Sequence, residues 1–164
     1  MNKLAFSLVA ALAVPAILSA QTATGSVNVN ATVQSAVSFG TQTAADFGIV
    51  TPNVAATVTP GGTGSGLIPI SFNTNFTVTA PATVSLANGA ASITVTSACA
   101  QDANGASATP TSFVCATGYN RAGVTTAGTH YLFVGGTIPA AQTATAPAGV
   151  YSGSLTFTAT FVSF

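Results

Sequence analysis

The sequence predicts an all-β fold, an immunoglobulin-like antiparallel β-sandwich that follows a cleaved signal peptide. Three observations predict it. Apolar residues recur with a period of two, Gly, Pro and Asn punctuate these runs, and no segment after the N-terminal apolar stretch carries a convincing helical period. The 164-residue chain is 48% hydrophobic and holds ten phenylalanines, so it has the apolar content that disordered chains lack.

At the N-terminus, Asn2 and Lys3 precede an apolar run from Leu4 to Leu18, broken only by Ser7 and Pro15. A membrane-spanning helix needs about 20 apolar residues, whereas a secretory signal has a shorter apolar region after a basic start and ends in small residues. The second description fits, and Ser19 and Ala20 place the expected cut after Ala20. Residues 1–20 are therefore read as a signal peptide and residues 21–164 as a single β-sandwich domain of ordinary size.

Loss of the signal leaves Asp46, Asp102, Arg121 and the single His130 as the chain's ionisable inventory outside its tyrosines, cysteines and termini. With 2% charged residues, against about 25% in average proteins, the chain must disperse through hydroxyls and amides or associate with itself. Phosphate neutralisation needs Lys and Arg, and adhesion to an anionic membrane needs a basic cluster. Neither nucleic acid nor membrane insertion is expected as a partner, which leaves self-assembly or another envelope protein.

Cys99 and Cys115, the only two cysteines, flank a turn-rich stretch with Asn104-Gly105 and Pro110. In an exported chain such a pair is expected to form a disulfide. Closing a loop of about 16 residues stabilises by about 3 kcal/mol in the chain-entropy model. The spacing is not that of a CxxC redox pair, and one histidine cannot complete a metal set, so no metal or other cofactor is expected.

Along the chain, Val27, Val29, Ala31 and Val33 alternate with Ser26, Asn28, Asn30 and Thr32, which predicts a strand over residues 25–33 with one apolar face. Gly61 to Gly66 is glycine-rich but lacks the lysine and following helix of a phosphate loop, and reads as a flexible loop. Strands are predicted at 67–72, 75–79, 131–138 and 150–162. Asn88-Gly89 predicts a hairpin with a type I′ turn, pairing Leu86 with Ala91, Val84 with Ile93 and Ala82 with Val95, so that the apolar residues share a face. In the last segment Leu155, Phe157, Ala159 and Phe161 point one way, and Thr156, Thr158 and Thr160 the other.

The stretches Tyr131-Leu132-Phe133-Val134-Gly135-Gly136-Thr137-Ile138-Pro139 and Ala148-Gly149-Val150-Tyr151-Ser152-Gly153-Ser154-Leu155-Thr156-Phe157 resemble the secreted bacterial β-domains grouped as a domain of unknown function. Their Val-Gly-Gly strand and Gly-x-Tyr-x-Gly strand also resemble the endings of the spore coat protein U and chaperone-usher pilin superfamily. The resemblance covers about the last third of the chain. It implies a pilin-like sandwich with no enzymatic activity to transfer. The sequence departs from the pilins in its central cysteines, since theirs lie near the start of the domain.

Catalysis has little to draw on. His130 next to Tyr131 would serve as a base with Asp46 or Asp102, but no Gly-x-Ser-x-Gly elbow accompanies it, and a glycosidase would need the two aspartates paired across a sugar. No catalytic residue is assigned. The reading is a non-enzymatic exported structural or adhesive protein of the bacterial envelope or surface, in the periplasm, on the cell or outside it. In that role a strand such as 25–33 completes a neighbouring subunit. Two alternatives stand beside it. One is a monomeric adhesin using loop hydroxyls with Tyr119 and Tyr131. The other is a small outer-membrane barrel, disfavoured by the absence of Trp and of aromatic girdles.

Overall fold

The structure, a computed structural model, describes residues 28–105 and 109–161; the expected signal peptide and its cleavage site lie outside them. Among the described residues ten strands and one helix follow in chain order: β1 (Val37–Phe39), β2 (Ala56–Val58), β3 (Gly66–Phe72), β4 (Phe76–Thr79), β5 (Thr83–Asn88), β6 (Ala91–Asp102), β7 (Thr111–Phe113), β8 (Tyr119–Arg121), β9 (Gly128–Ile138), α1 (Ala140–Thr145) and β10 (Thr158–Phe161). All fall within the unit Val33–Phe164.

The strands form two antiparallel sheets. The larger runs β1-β3-β9-β6-β5, with β2 added to the far end of β9 and β7 to the far end of β6, and the smaller runs β10-β4-β8. The all-β expectation holds, and the alternation explains the burial. In β3, Ile68, Ile70 and Phe72 are buried; in β4, Phe76 and Val78 are buried; in β9, Leu132 and Val134 are buried, and these seven make one core cluster drawn from both sheets. Period-two patterning puts alternate side chains on one face, and two such faces closed on each other exclude water.

The larger sheet is longer than the smaller one, so its far half needs other cover. There Ile93, Val95 and Ile138 are packed by Phe47, Val50, Ala56, Ala146 and Tyr151, which belong to connecting segments and the short strand β2. Helix α1 sits in the same region: Gln142 Oε1 accepts from Thr94 N at 3.2 Å, and buried Thr143 donates to Val54 O at 3.1 Å. The sequence pattern predicts no helix in this region. Six residues, Ala-Ala-Gln-Thr-Ala-Thr after Pro139, are too few for a helical period to stand out from the surrounding Ala/Thr alternation.

The hairpin forms with its turn one residue later than predicted. The pairs are Asn88↔Ala91, Leu86↔Ile93 and Val84↔Val95, so Gly89 and Ala90 make the turn. Gly89 has φ 59° and Ala90 is not among the residues with positive φ, which fits a turn with glycine first rather than the type I′ form that needs both central residues left-handed. The shift keeps the same residues on each face, and the outer edge of β5 is held by Ser152, which exchanges two backbone hydrogen bonds with Ala87 at 2.8 and 3.1 Å.

Two predicted strands differ more. Residues 28–33 are exposed and lie in no strand, and 25–27 fall outside the described residues. The alternation there marks a capacity to pair, which needs a sheet edge to be realised. The predicted strand at 150–162 is split: Ser152 bridges to β5 of the larger sheet, and only Thr158–Phe161 pairs, with β4 of the smaller one. Leu155 and Phe157 pack on the core between them. The glycine-rich stretch is two hydrogen-bonded turns, Gly62 N to Thr59 O at 2.9 Å and Ser65 N to Gly62 O at 3.1 Å, rather than a loose loop.

Cys99 on β6 and Cys115 after β7 form a disulfide with 5.4 Å between their Cα atoms. Cys115 O accepts from Ala80 N at 2.9 Å, just past β4. The bond therefore ties the larger sheet to the chain entering the smaller one. Replacing both cysteines by Ala is expected to cost about 3 kcal/mol through the loop it releases, read as a lower urea midpoint; an unchanged midpoint would show that the sheets hold their register without it.

Candidate functional site: open strand edges and a buried histidine

Of the few ionisable residues, His130, Arg121 and Asp102 lie close enough to act on one another. His130 enters from β9, the strand flanked by β3 and β6, and its core-facing position leaves it 5% exposed. Its Nε2 is hydrogen-bonded to Gln101 Oε1 on β6, and its ring stacks on Tyr119 of β8 with centroids 5.4 Å apart and planes 15° from parallel. Burial pushes its pKa below 6.5, Arg121 pushes it further down, and Asp102 pulls it partly back.

Both aspartates also accept from backbone amides. Asp46 Oδ1 accepts from Gly48 N at 2.8 Å and Asp102 Oδ1 from Asn104 N at 2.7 Å. Each thus initiates a turn two residues ahead. His130 is not hydrogen-bonded to Asp46, and Asp46 is not among the charges acting on it. Among the described residues no three His, Cys, Asp or Glu side chains converge as a metal set. Tyr119 is occupied between Phe76, Phe113 and His130, at centroid distances of 6.2, 5.9 and 5.4 Å. Tyr131 is covered by Gly105, where an added Cβ would sit 2.7 Å from its Cε1.

The glycines of the two closing stretches have a packing explanation. A Cβ at Gly135 would lie 2.0 Å from Val58 O, one at Gly136 2.6 Å from Thr96 O, and one at Gly153 2.3 Å from Ser85 O. Glycine in a strand often marks such a close backbone approach. Gly135-Gly136 lets β2 and β6 crowd the end of β9, and Gly153 lets the closing segment lie against β5.

The remaining candidate is the set of strand edges. Among the described residues, β1 and β10 each have one hydrogen-bonded neighbour, β3 and β4 respectively, and the two approach each other without pairing. Natural edges are usually protected by charge, proline or a bulge, whereas β1 is Val-Ser-Phe and β10 Thr-Ala-Thr-Phe. Beneath them Val37, Phe39, Leu155, Phe157 and Ala159 are only partly buried against the core, and Phe161 is 52% exposed. The chain reaches β1 through a clamp at Asn73, which accepts from Ala36 N at 2.6 Å and donates through Nδ2 to Gln34 O at 2.8 Å. Before the clamp, Val29 and Val33 are 90% and 82% exposed.

Sequence reasoning found the alternating 25–33 segment and the absence of charge. It missed that β10 is an edge, because edge position is decided by chain routing and not by local pattern. No protein-family model, curated protein or solved structure matches the chain. No helix among the described residues is long and apolar enough to cross a membrane.

Gly135→Ala and Gly136→Ala are each expected to destabilise by about 1–3 kcal/mol, because the added methyl meets backbone that cannot yield. Gly128→Ala meets only the Phe72 ring at 3.4 Å and is expected to stay within about 0.5 kcal/mol of the parent. Chemical denaturation of the three variants checks both; equal effects would remove the packing account of the glycine pair.

Proposed function

We propose that this chain is a non-enzymatic, exported structural subunit of the bacterial cell envelope or surface, which assembles by strand pairing. The observation that carries the reading is the uncharged outer edge of β10 beside β1, which has no partner strand among the described residues and lies over apolar residues only partly covered. In the proposed assembly the N-terminal segment of a neighbouring copy, with Val27, Val29, Ala31 and Val33 on one face, lies along β10. Main-chain hydrogen bonds supply the affinity and the valines fill the partly covered core. The near-absence of charge removes the repulsion that keeps most exported domains apart.

Other features support the same reading. The single histidine is buried against an amide and is not presented to solvent as a base. The disulfide suits an oxidising compartment. The sheets are open and surround an apolar core, which favours a packed sandwich over the outer-membrane barrel.

The test is Val29→Lys. Because Val29 is 90% exposed, the substitution is expected to change the stability of the isolated domain by no more than about 0.5 kcal/mol. It should nevertheless weaken assembly, since a charge would have to be buried at the junction. Light scattering and electron microscopy of the mature protein should show assemblies that Val29→Lys abolishes and that a peptide of residues 21–34 caps. A parent protein that stays monomeric at high concentration would sink the proposal and leave the monomeric adhesin.

A further inference from the structure

His130 is the chain's only histidine and therefore the one side chain whose ordinary titration falls between about pH 5 and pH 8. It stands where the two sheets meet: its own strand β9 belongs to the larger sheet and the Tyr119 ring stacked on it belongs to the smaller one. We propose that His130 is an acid-sensitive latch between the sheets, closed while the imidazole is neutral and loosened at the β8 end when it takes up a proton.

The surroundings of the ring decide the direction. From β6 come the Gln101 amide, which accepts from Nε2, and the carboxylate of Asp102; from β8 come the Tyr119 ring and the guanidinium of Arg121. β3, which pairs Ile70 with His130, carries no titratable group. Asp102 and the tyrosine face favour an imidazolium, but burial and Arg121 oppose it and prevail, so the folded protein holds the ring neutral. The unfolded chain protonates near 6.5. Between that value and the lower folded one the unfolded state binds the extra proton, so stability is complete above the unfolded value and falls as the pH falls.

The latch makes the contact of β8 with the larger sheet the first to give in mild acid, ahead of the disulfide-tied region. The experiment compares the parent with His130→Gln, which keeps a hydrogen-bonding group, and His130→Phe, which keeps a stacking ring. Melting temperature is followed from about pH 7.5 to about pH 5, with amide exchange of Tyr119 and Asn120 as the local readout. The parent is expected to lose melting temperature across this range and to exchange faster at β8, while both variants give flat profiles. A parent with a flat profile overturns the latch, and so does an acid loss of the same size in a variant that folds. Should neither variant fold, the imidazole resonance of the parent decides: titration below the ordinary histidine value with coincident β8 exchange supports the latch, and titration at or above that value overturns it.

Discussion

β9 is hydrogen-bonded on both edges over most of its length, to β3 and then β2 on one side and to β6 on the other. That double pairing is the constraint from which the rest of the domain follows. A strand so placed must be nearly free of bulky obstruction where three backbones converge, and Gly135-Gly136 provides this. It must also bury what it carries, and Leu132, Phe133, Val134 and Ile138 are buried apolar residues. His130 is the exception, and it is tolerated because Gln101 and Tyr119 meet its polar and flat surfaces.

The smaller sheet is too narrow to cover the larger one. Connecting segments cover one half, and β10 with the run before it covers part of the other. The consequence is an asymmetric sandwich. The β5 edge is closed by Ser152, while among the described residues the β1 and β10 edges carry neither a partner strand nor a charge. In an ordinary charged protein, lysines on the edge strands would discourage pairing. Here the same composition that makes the chain neutral also leaves its edges open, which links the sequence statistic to the proposed role.

Much of this was legible locally. The period of two identified β3, β4 and β9, and the Leu86/Val84 and Ile93/Val95 faces came out right even though the turn fell one residue later. What escaped was set by tertiary routing. The segment ending at Phe161 has a continuous alternating pattern, yet Gly153 packed on β5 and Phe161 paired with Phe76 of β4 put its two ends in different sheets. α1 was hidden because one and a half turns carry no period of their own. For the site, the lack of charge and the alternating valines were readable, whereas the burial of His130 against Tyr119 required knowing which strand of the smaller sheet would face β9.

The account stands on the free edge of β10 accepting a strand from another copy. Amide exchange of residues 158–161 at increasing protein concentration tests this most directly, because the amides that point away from β4 have no partner strand among the described residues and gain one in the assembly. The account predicts that these amides become slowly exchanging as assemblies form, while those already bonded to β4 change little. Assemblies in which the outward amides of β10 still exchange at the rate of the single domain would contradict it.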